Sequence, residues 1–111
     1  MKYEDIIADL KKGKYLPIYF LSGEEPYFLD EIANRIEKNA LTEDEKAFNQ
    51  TILYGNDVTM TTVTDTARRF PMMAQRQVVI VKEAQNIRDF ENLLPYVDHF
   101  QPTTILVFLY K

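Results

Sequence analysis

An α/β fold built on a parallel sheet with helices on both faces is predicted by three observations. Apolar runs suited to strands alternate with amphipathic stretches at helical spacing, in the order helix, strand, four times over. Two of the strand runs, VVIV and ILVFLY, are continuously apolar, as expected of strands covered on both faces. The chain has 111 residues, which fits one domain over residues 1–111 and not two.

The first helix carries Tyr3, Ile6, Ile7 and Leu10 at helical spacing and finds a stop at Gly13. YLPIYFLSG then reads as a strand, with Pro17 placed near its start or on an edge because proline has no N–H for the ladder. Pro26 suits the first turn of a second helix, whose buried face is Phe28, Leu29, Ile32, Ala33 and Ile36. LTEDEKA reads as a polar connection, and Phe48–Tyr54 as the second strand, stopped by Gly55. Thr59 can cap a third helix with Met60, Val63, Ala67 and Phe70 on one face. Arg76–Lys82 (RQVVIVK) is the third strand. A fourth helix starts near Asn86 and carries Ile87, Phe90, Leu93, Leu94 and Val97, with a kink or restart at Pro95. TTILVFLY is the fourth strand, and with nothing after it to cover the sheet, the chain reads as a fragment of a longer one.

Composition narrows the function. Cysteine is absent, which removes disulfides, thiolate metal sites and a cysteine nucleophile, and fits a reducing compartment. No apolar run approaches the roughly 20 residues that span a bilayer. MKYEDIIADLKKGK lacks the uninterrupted apolar stretch of a signal peptide, so a cytoplasmic protein is expected. The net charge of −4 argues against a protein that tracks DNA by itself, since such binding runs on lysine and arginine. The one dense basic run, Lys11, Lys12 and Lys14, reads as a solvated helix end.

Open parallel sheets bind ligands beyond the carboxyl ends of their strands. After the first strand stands SGEEPYFLDE, where a nucleoside triphosphatase would carry glycines and a lysine around the phosphates. Gly23 is followed instead by Glu24, Glu25 and Pro26, with no lysine until Lys38. The third strand ends in Lys82 and Glu83, where a magnesium-binding aspartate would be needed. Both halves of a nucleotide site are therefore degenerate, and no ATP hydrolysis, cofactor or metal is expected. A phosphate-dependent receiver-like switch is the alternative, with Glu24 and Glu25 as its acidic pair and Lys111 as its lysine. Against it, no aspartate ends the third strand, and the two glutamates suit a helix N-terminus. His99 reads as a surface residue, and Glu43, Asp44 and Glu45 as solvated acids.

RRFPMMAQRQVVIV, residues 68–81, is the odd stretch. Connections run over the surface and are normally polar, yet Phe70, Pro71, Met72 and Met73 stand together before a strand. Phe70 fits its own core equally well, at helical spacing from Val63 and Ala67. Met72 and Met73 lie beyond that helical face and are expected to be exposed.

Three landmarks now coincide: PIYFLSGEEPYFLDE, FNQTILYG and ARRFPMMAQRQVVIV. In this order and spacing they resemble the N-terminal domain of the delta subunit of the bacterial DNA polymerase III clamp loader. The resemblance covers essentially the whole chain. It implies an AAA+/RecA-like, P-loop NTPase-like three-layer fold without a functional P-loop, here with about four strands. It implies no intrinsic enzymatic activity, and a role in DNA replication within the replisome at the nucleoid. The partner would be the sliding clamp (beta subunit), which the domain binds and helps open for loading onto primed DNA. The clamp contact would fall on Phe70, Met72 and Met73, with Pro71 shaping the turn. Other loader subunits would be met through helical lid and collar domains that are absent here, and DNA only within the assembled complex.

Overall fold

The structure, a computed structural model, describes residues 2–23 and 25–111. Helix α1 (Tyr3–Lys11) stops because Gly13 takes a left-handed φ of +74°. Its N–H donates to Leu10 O at 3.0 Å and that of Lys14 to Asp9 O at 2.9 Å. This paired closure satisfies carbonyls that a helix end leaves orphaned. Strand β1 (Ile18–Ser22) follows Pro17, whose carbonyl accepts the Leu106 N–H at 2.9 Å. Helix α2 (Pro26–Asn39) begins on Pro26 and buries Leu29, Ile32, Ala33 and Ile36. Tyr3 ties α1 to α2. Its hydroxyl donates to Glu31 Oε2 at 2.5 Å, which pushes the phenol up to about 12 and holds the Glu31 carboxyl below its usual value.

The next segment departs from expectation. LTEDEKA is not a plain connection: Thr42 starts helix α3 (Glu43–Asn49) with a reciprocal cap. Thr42 Oγ1 accepts the Glu45 N–H at 3.3 Å, and Glu45 Oε1 accepts the Thr42 N–H at 2.9 Å. The three acids occupy the first turn, where the helix dipole favours them. Strand β2 therefore begins at Gln50 and runs to Tyr54, and Phe48 is a helical residue left exposed.

Helix α4 (Met60–Ala67) is capped at its amino end by two side chains, one local and one distant. Thr59 Oγ1 accepts the Thr62 N–H, and Asp89 Oδ1 accepts the Met60 N–H at 3.0 Å. The helix ends before Phe70, which is thus not on its buried face. Strand β3 (Gln77–Lys82) leads into two 3₁₀ turns, Ala84–Asn86 and Phe90–Leu93, and then short helix α5 (Leu94–Asp98). The single helix expected from Asn86 is broken there because Pro95 cannot continue one from the preceding turn. Pro95 sits in the first turn of α5, Ile87, Leu93 and Tyr96 are buried, and Leu94 and Val97 are exposed. Strand β4 (Thr104–Tyr110) follows.

All strands are parallel, in the order β1-β4-β3-β2. Alternate residues of β3 and β4 feed two cores. Val78, Ile80, Ile105, Val107 and Leu109 pack under α1 and α2. Val79, Val81, Leu106 and Phe108 pack under α4 and the Ile87–Tyr96 segment. This is the three-layer α/β arrangement expected. Phe28, placed by its spacing on the buried face of α2, is instead half on the surface, with its ring 4.4 Å from that of Tyr3. Where β2 and β3 end together, the Gly55 N–H donates to Lys82 O at 2.8 Å, and a Cβ there would collide with the Glu83 carbonyl. Among the described residues no helix is long and apolar enough to cross a membrane.

Asp89 links this architecture to pH. The bond from the Met60 N–H holds its carboxyl below the usual aspartate value of 3.8. A depressed folded-state value means stability present above 3.8 and lost as pH falls through the lower folded value. Asp89→Asn keeps an acceptor oxygen and does not titrate. Thermal melts of this variant should therefore show a flatter decline below about pH 4 than wild type. Identical acid profiles would show that Asp89 has no part in the acid response.

Candidate functional site

Gly23, just past β1, is exposed at a φ of +143°. Glu24 lies outside the described residues. Glu25 is exposed and starts α2 without a side-chain cap bond. At the end of β3, Lys82 is half-buried and Glu83 takes a left-handed φ of +54° into the first 3₁₀ turn. Strand β4 runs between these two groups of positions. The Lys111 ammonium is held 2.6 Å from Asp30 Oδ1, and the Lys111 N–H donates to Gln85 Oε1 at 3.1 Å. This edge offers carboxylates, Lys82 at a strand end and Lys111 already engaged by Asp30, with no lysine-bearing glycine loop for a triphosphate. The receiver alternative fails on topology. A receiver sheet runs 2-1-3-4-5 and sets its first strand against its third, whereas here β4 pairs with both β1 and β3.

The opposite edge, at the amino ends of the strands, is built differently. Helix α4 ends at Ala67, where the Arg68 and Arg69 N–H groups still reach Thr64 O and Thr66 O at 3.0 and 3.3 Å and the carbonyls beyond need other donors. Gln77, the first residue of β3, supplies them. Its Nε2 lies 3.0 Å from Thr66 O, 3.2 Å from Ala67 O and 2.8 Å from Arg69 O. One amide has two N–H groups, so these acceptors share them. Thr104 stands beside Gln77 in register at the start of β4, and its Oγ1 donates to Ala67 O at 2.6 Å. Gln101 Nε2 reaches Arg68 O at 3.3 Å.

Past Arg69 the chain crosses towards β3 along this edge, and a second amide holds it. Asn49, the last residue of α3, is only 3% exposed. Its Oδ1 accepts the Met72 N–H at 2.6 Å, while its Nδ2 donates to Met72 O at 2.8 Å and to Glu45 O at 3.0 Å. A side-chain amide thus pairs with a backbone residue as a neighbouring strand would.

With the backbone fixed at Arg69 and Met72, the apolar side chains stand outside. Phe70 is 77% exposed, Met72 60% and Met73 100%, and Pro71 is half-buried. Of the two places open to Phe70, the structure selects the surface over its own core. Met73 also adopts a left-handed φ of +55°. Cations flank the element: the Arg76 guanidinium lies 4.8 Å over the Tyr15 ring, and that of Arg68 5.5 Å over Tyr96. All four residues singled out from the sequence come together, on the edge opposite Gly23, Glu25, Lys82 and Glu83. Sequence reasoning missed Asn49 and Thr104, whose partners are distant in the chain, and Gln77, whose helix-end acceptors lie only 8 to 11 residues back. It also passed over Thr42-x-x-Glu45, a capping signature that was readable and that places Asn49.

Fold and site together define a three-layer domain on a parallel sheet that carries neither a lysine-bearing glycine loop after β1 nor an aspartate after β3. The family model described as DNA polymerase III, delta subunit, matches residues 19–111, and the chain belongs to that family. DNA polymerase III subunit delta of Bacillus subtilis (strain 168) is 35% identical over 78 residues, 70% of this chain and 22% of that protein. The solved structure of the Bacillus subtilis DNA clamp loader delta protein (YqeN) matches with a TM-score of 0.86 at 28% identity. That match covers 98% of this chain and 35% of the other. The chain therefore spans about a fifth of the curated relative's length.

The amide of Gln77 makes the site's support testable. Gln77→Leu keeps the volume but leaves the carbonyls of Thr66 and Arg69 without that donor. It should cost about 1–3 kcal/mol in urea unfolding. The Gln77→Leu/Thr104→Val double variant should cost less than the sum of the two single changes, because either one alone already breaks the 3.0 Å bond from Gln77 Nε2 to Thr104 Oγ1. Strict additivity would mean that the two side chains act independently.

Proposed function

We propose that this chain is a non-catalytic domain of a clamp loader that holds the sliding clamp through Phe70, Met72 and Met73. The observation that carries the reading is their exposure: three large apolar side chains stand outside on a backbone held at Arg69 and Met72. Membership of the delta family supports the partner in this reading, the ring-shaped clamp (beta subunit). Pro71 shapes the turn between the anchors. Each anchor that becomes fully buried in a pocket contributes on the order of 1.5–3 kcal/mol from area alone, enough for a few residues to dominate the contact. Methionine suits such a pocket because its side chain is flexible and polarizable.

In this reading the domain helps open one clamp interface during loading onto primed DNA. It meets the other loader subunits through lid and collar domains beyond residues 1–111, and meets DNA only in the assembled complex. It works in the cytoplasm, at the replisome. ATP hydrolysis is not its task, since Gly23–Glu25 and Lys82–Glu83 offer a phosphate neither a lysine-bearing glycine loop nor a metal-binding aspartate.

Binding of the 111-residue chain to its cognate purified clamp, followed by calorimetry, tests the reading. Met72→Ala/Met73→Ala should weaken it about 100-fold, roughly tenfold for each truncated anchor. Magnesium ATP at millimolar concentration should leave the melting temperature of the wild type where it was. A folded wild type that ignores the clamp sinks the function, and equal binding by the double variant sinks the residue assignment.

A further inference from the structure

Met73 combines two properties that the fold itself does not need. Its side chain is fully exposed, and its backbone is left-handed at φ +55°. Glycine or asparagine takes that conformation easily, whereas methionine is strained in it. The residue before it is the one Asn49 grips by both N–H and C=O. The Asn49 amide is fully committed: both donors and its oxygen are used, on Glu45 O and on Met72. It is also buried, so it cannot itself touch a partner.

We infer that the Phe70–Met73 element is already formed in the free protein, with Asn49 as its positioning residue and left-handed Met73 setting the outward aim. The inference rests on the clamp-contact reading and adds how the contact is set. The residues from Arg68 to Arg76 connect α4 to β3 without helix or strand of their own. Left free, such a segment would have to be ordered by its partner, and that ordering would be subtracted from the affinity. Asn49 removes much of that freedom in advance. It does so from α3, whose reciprocal Thr42–Glu45 cap fixes the helix that carries it. The strain at Met73 then has a use: it keeps an apolar side chain where the turn alone would favour glycine.

The experiment compares wild type, Asn49→Ala and Met73→Gly for amide hydrogen exchange, melting temperature and binding to the purified cognate clamp. In the free wild type the Met72 amide should be protected. Asn49→Ala should lose that protection and bind about tenfold more weakly at a temperature where its circular dichroism is native. Met73→Gly should melt about 4 °C higher, as relief of roughly 1 kcal/mol would give for a domain this size. It should nonetheless bind about tenfold more weakly. A merely structural role for Met73 would move stability and leave affinity unchanged, and that result overturns the inference. So does wild-type affinity in an Asn49→Ala protein whose Met72 amide exchanges freely. Should Asn49→Ala not fold, the wild-type exchange pattern and Met73→Gly still decide, since a freely exchanging Met72 amide in wild type refutes preformation. Absence of clamp binding by wild type with a protected Met72 would refute the clamp reading and leave the preformed element standing.

Discussion

Gln77 ties the end of α4 to the mouth of the sheet, and the rest of the site follows from that tie. A helix that packs its last turn onto a sheet must find partners for carbonyls that water can no longer reach. Here Gln77 and Thr104, adjacent in register, reach Thr66, Ala67 and Arg69 from below. The polar cluster is buried and its members are paired, the condition under which such a network holds a single geometry. Because the carbonyl of Arg69 is held, the direction of the chain into Phe70 is set. Asn49 then repeats the device three residues later on Met72. Two amides, from β3 and α3, thus frame the stretch between α4 and β3.

The same logic accounts for a polar residue at the start of an otherwise apolar strand. Val78, Val79, Ile80 and Val81 are buried on both faces, and an apolar residue at position 77 would leave Arg69 O without its side-chain donor and Ala67 O with Thr104 alone. Gln77 gives up apolar burial to satisfy the layer above. Asp89 does the corresponding work at the other end of α4, where a carboxylate accepts the Met60 N–H beside the positive end of the helix dipole. Threonine, a poor helix former, occupies five of the positions 59–66 in and before α4. The ends of that helix are therefore secured by side chains that lie outside it.

How much of this was legible depended on the range of the interaction. Strands β3 and β4 were legible because a short, continuously apolar run rich in valine and isoleucine suits a strand covered on both faces. Helix α2 was legible because Leu29, Ile32, Ala33 and Ile36 repeat at helical spacing. Helix α3 was not, since its one buried residue is Asn49 and an apolar period never forms. Its Thr42–Glu45 cap was the only local signal. The segment from Ala84 to Asp98 resembles one helix in sequence because Ile87 and Leu93 fit the period, but Pro95 and the 3₁₀ turns divide it. At the site, Phe70, Met72 and Met73 stood out as apolar residues in a connection. Their supports did not, because Asn49 lies 23 residues from Met72 and Thr104 lies 37 from Ala67. No short window of sequence contains either of those pairs, and Gln77, eight residues after Arg69, sits in no periodic pattern that marks it as a donor to a helix end.

Strand β3 joins the two edges of the domain within six residues. Its amino end, Gln77, supports the apolar element, and its carboxyl end, Lys82, leads into Glu83, whose left-handed backbone opens the first 3₁₀ turn. The core residues between them are fully buried and pair on both sides with β2 and β4. A close-packed strand of this kind resists local rearrangement. Changes at the carboxyl edge therefore need not disturb the amino edge, since the described hydrogen bonds of Gln77, Thr104 and Asn49 all lie at the amino edge. The two ends of one strand answer to different constraints. The carboxyl end closes the sheet through the bond from the Gly55 N–H to Lys82 O, while the amino end holds a helix terminus and frames three exposed apolar side chains.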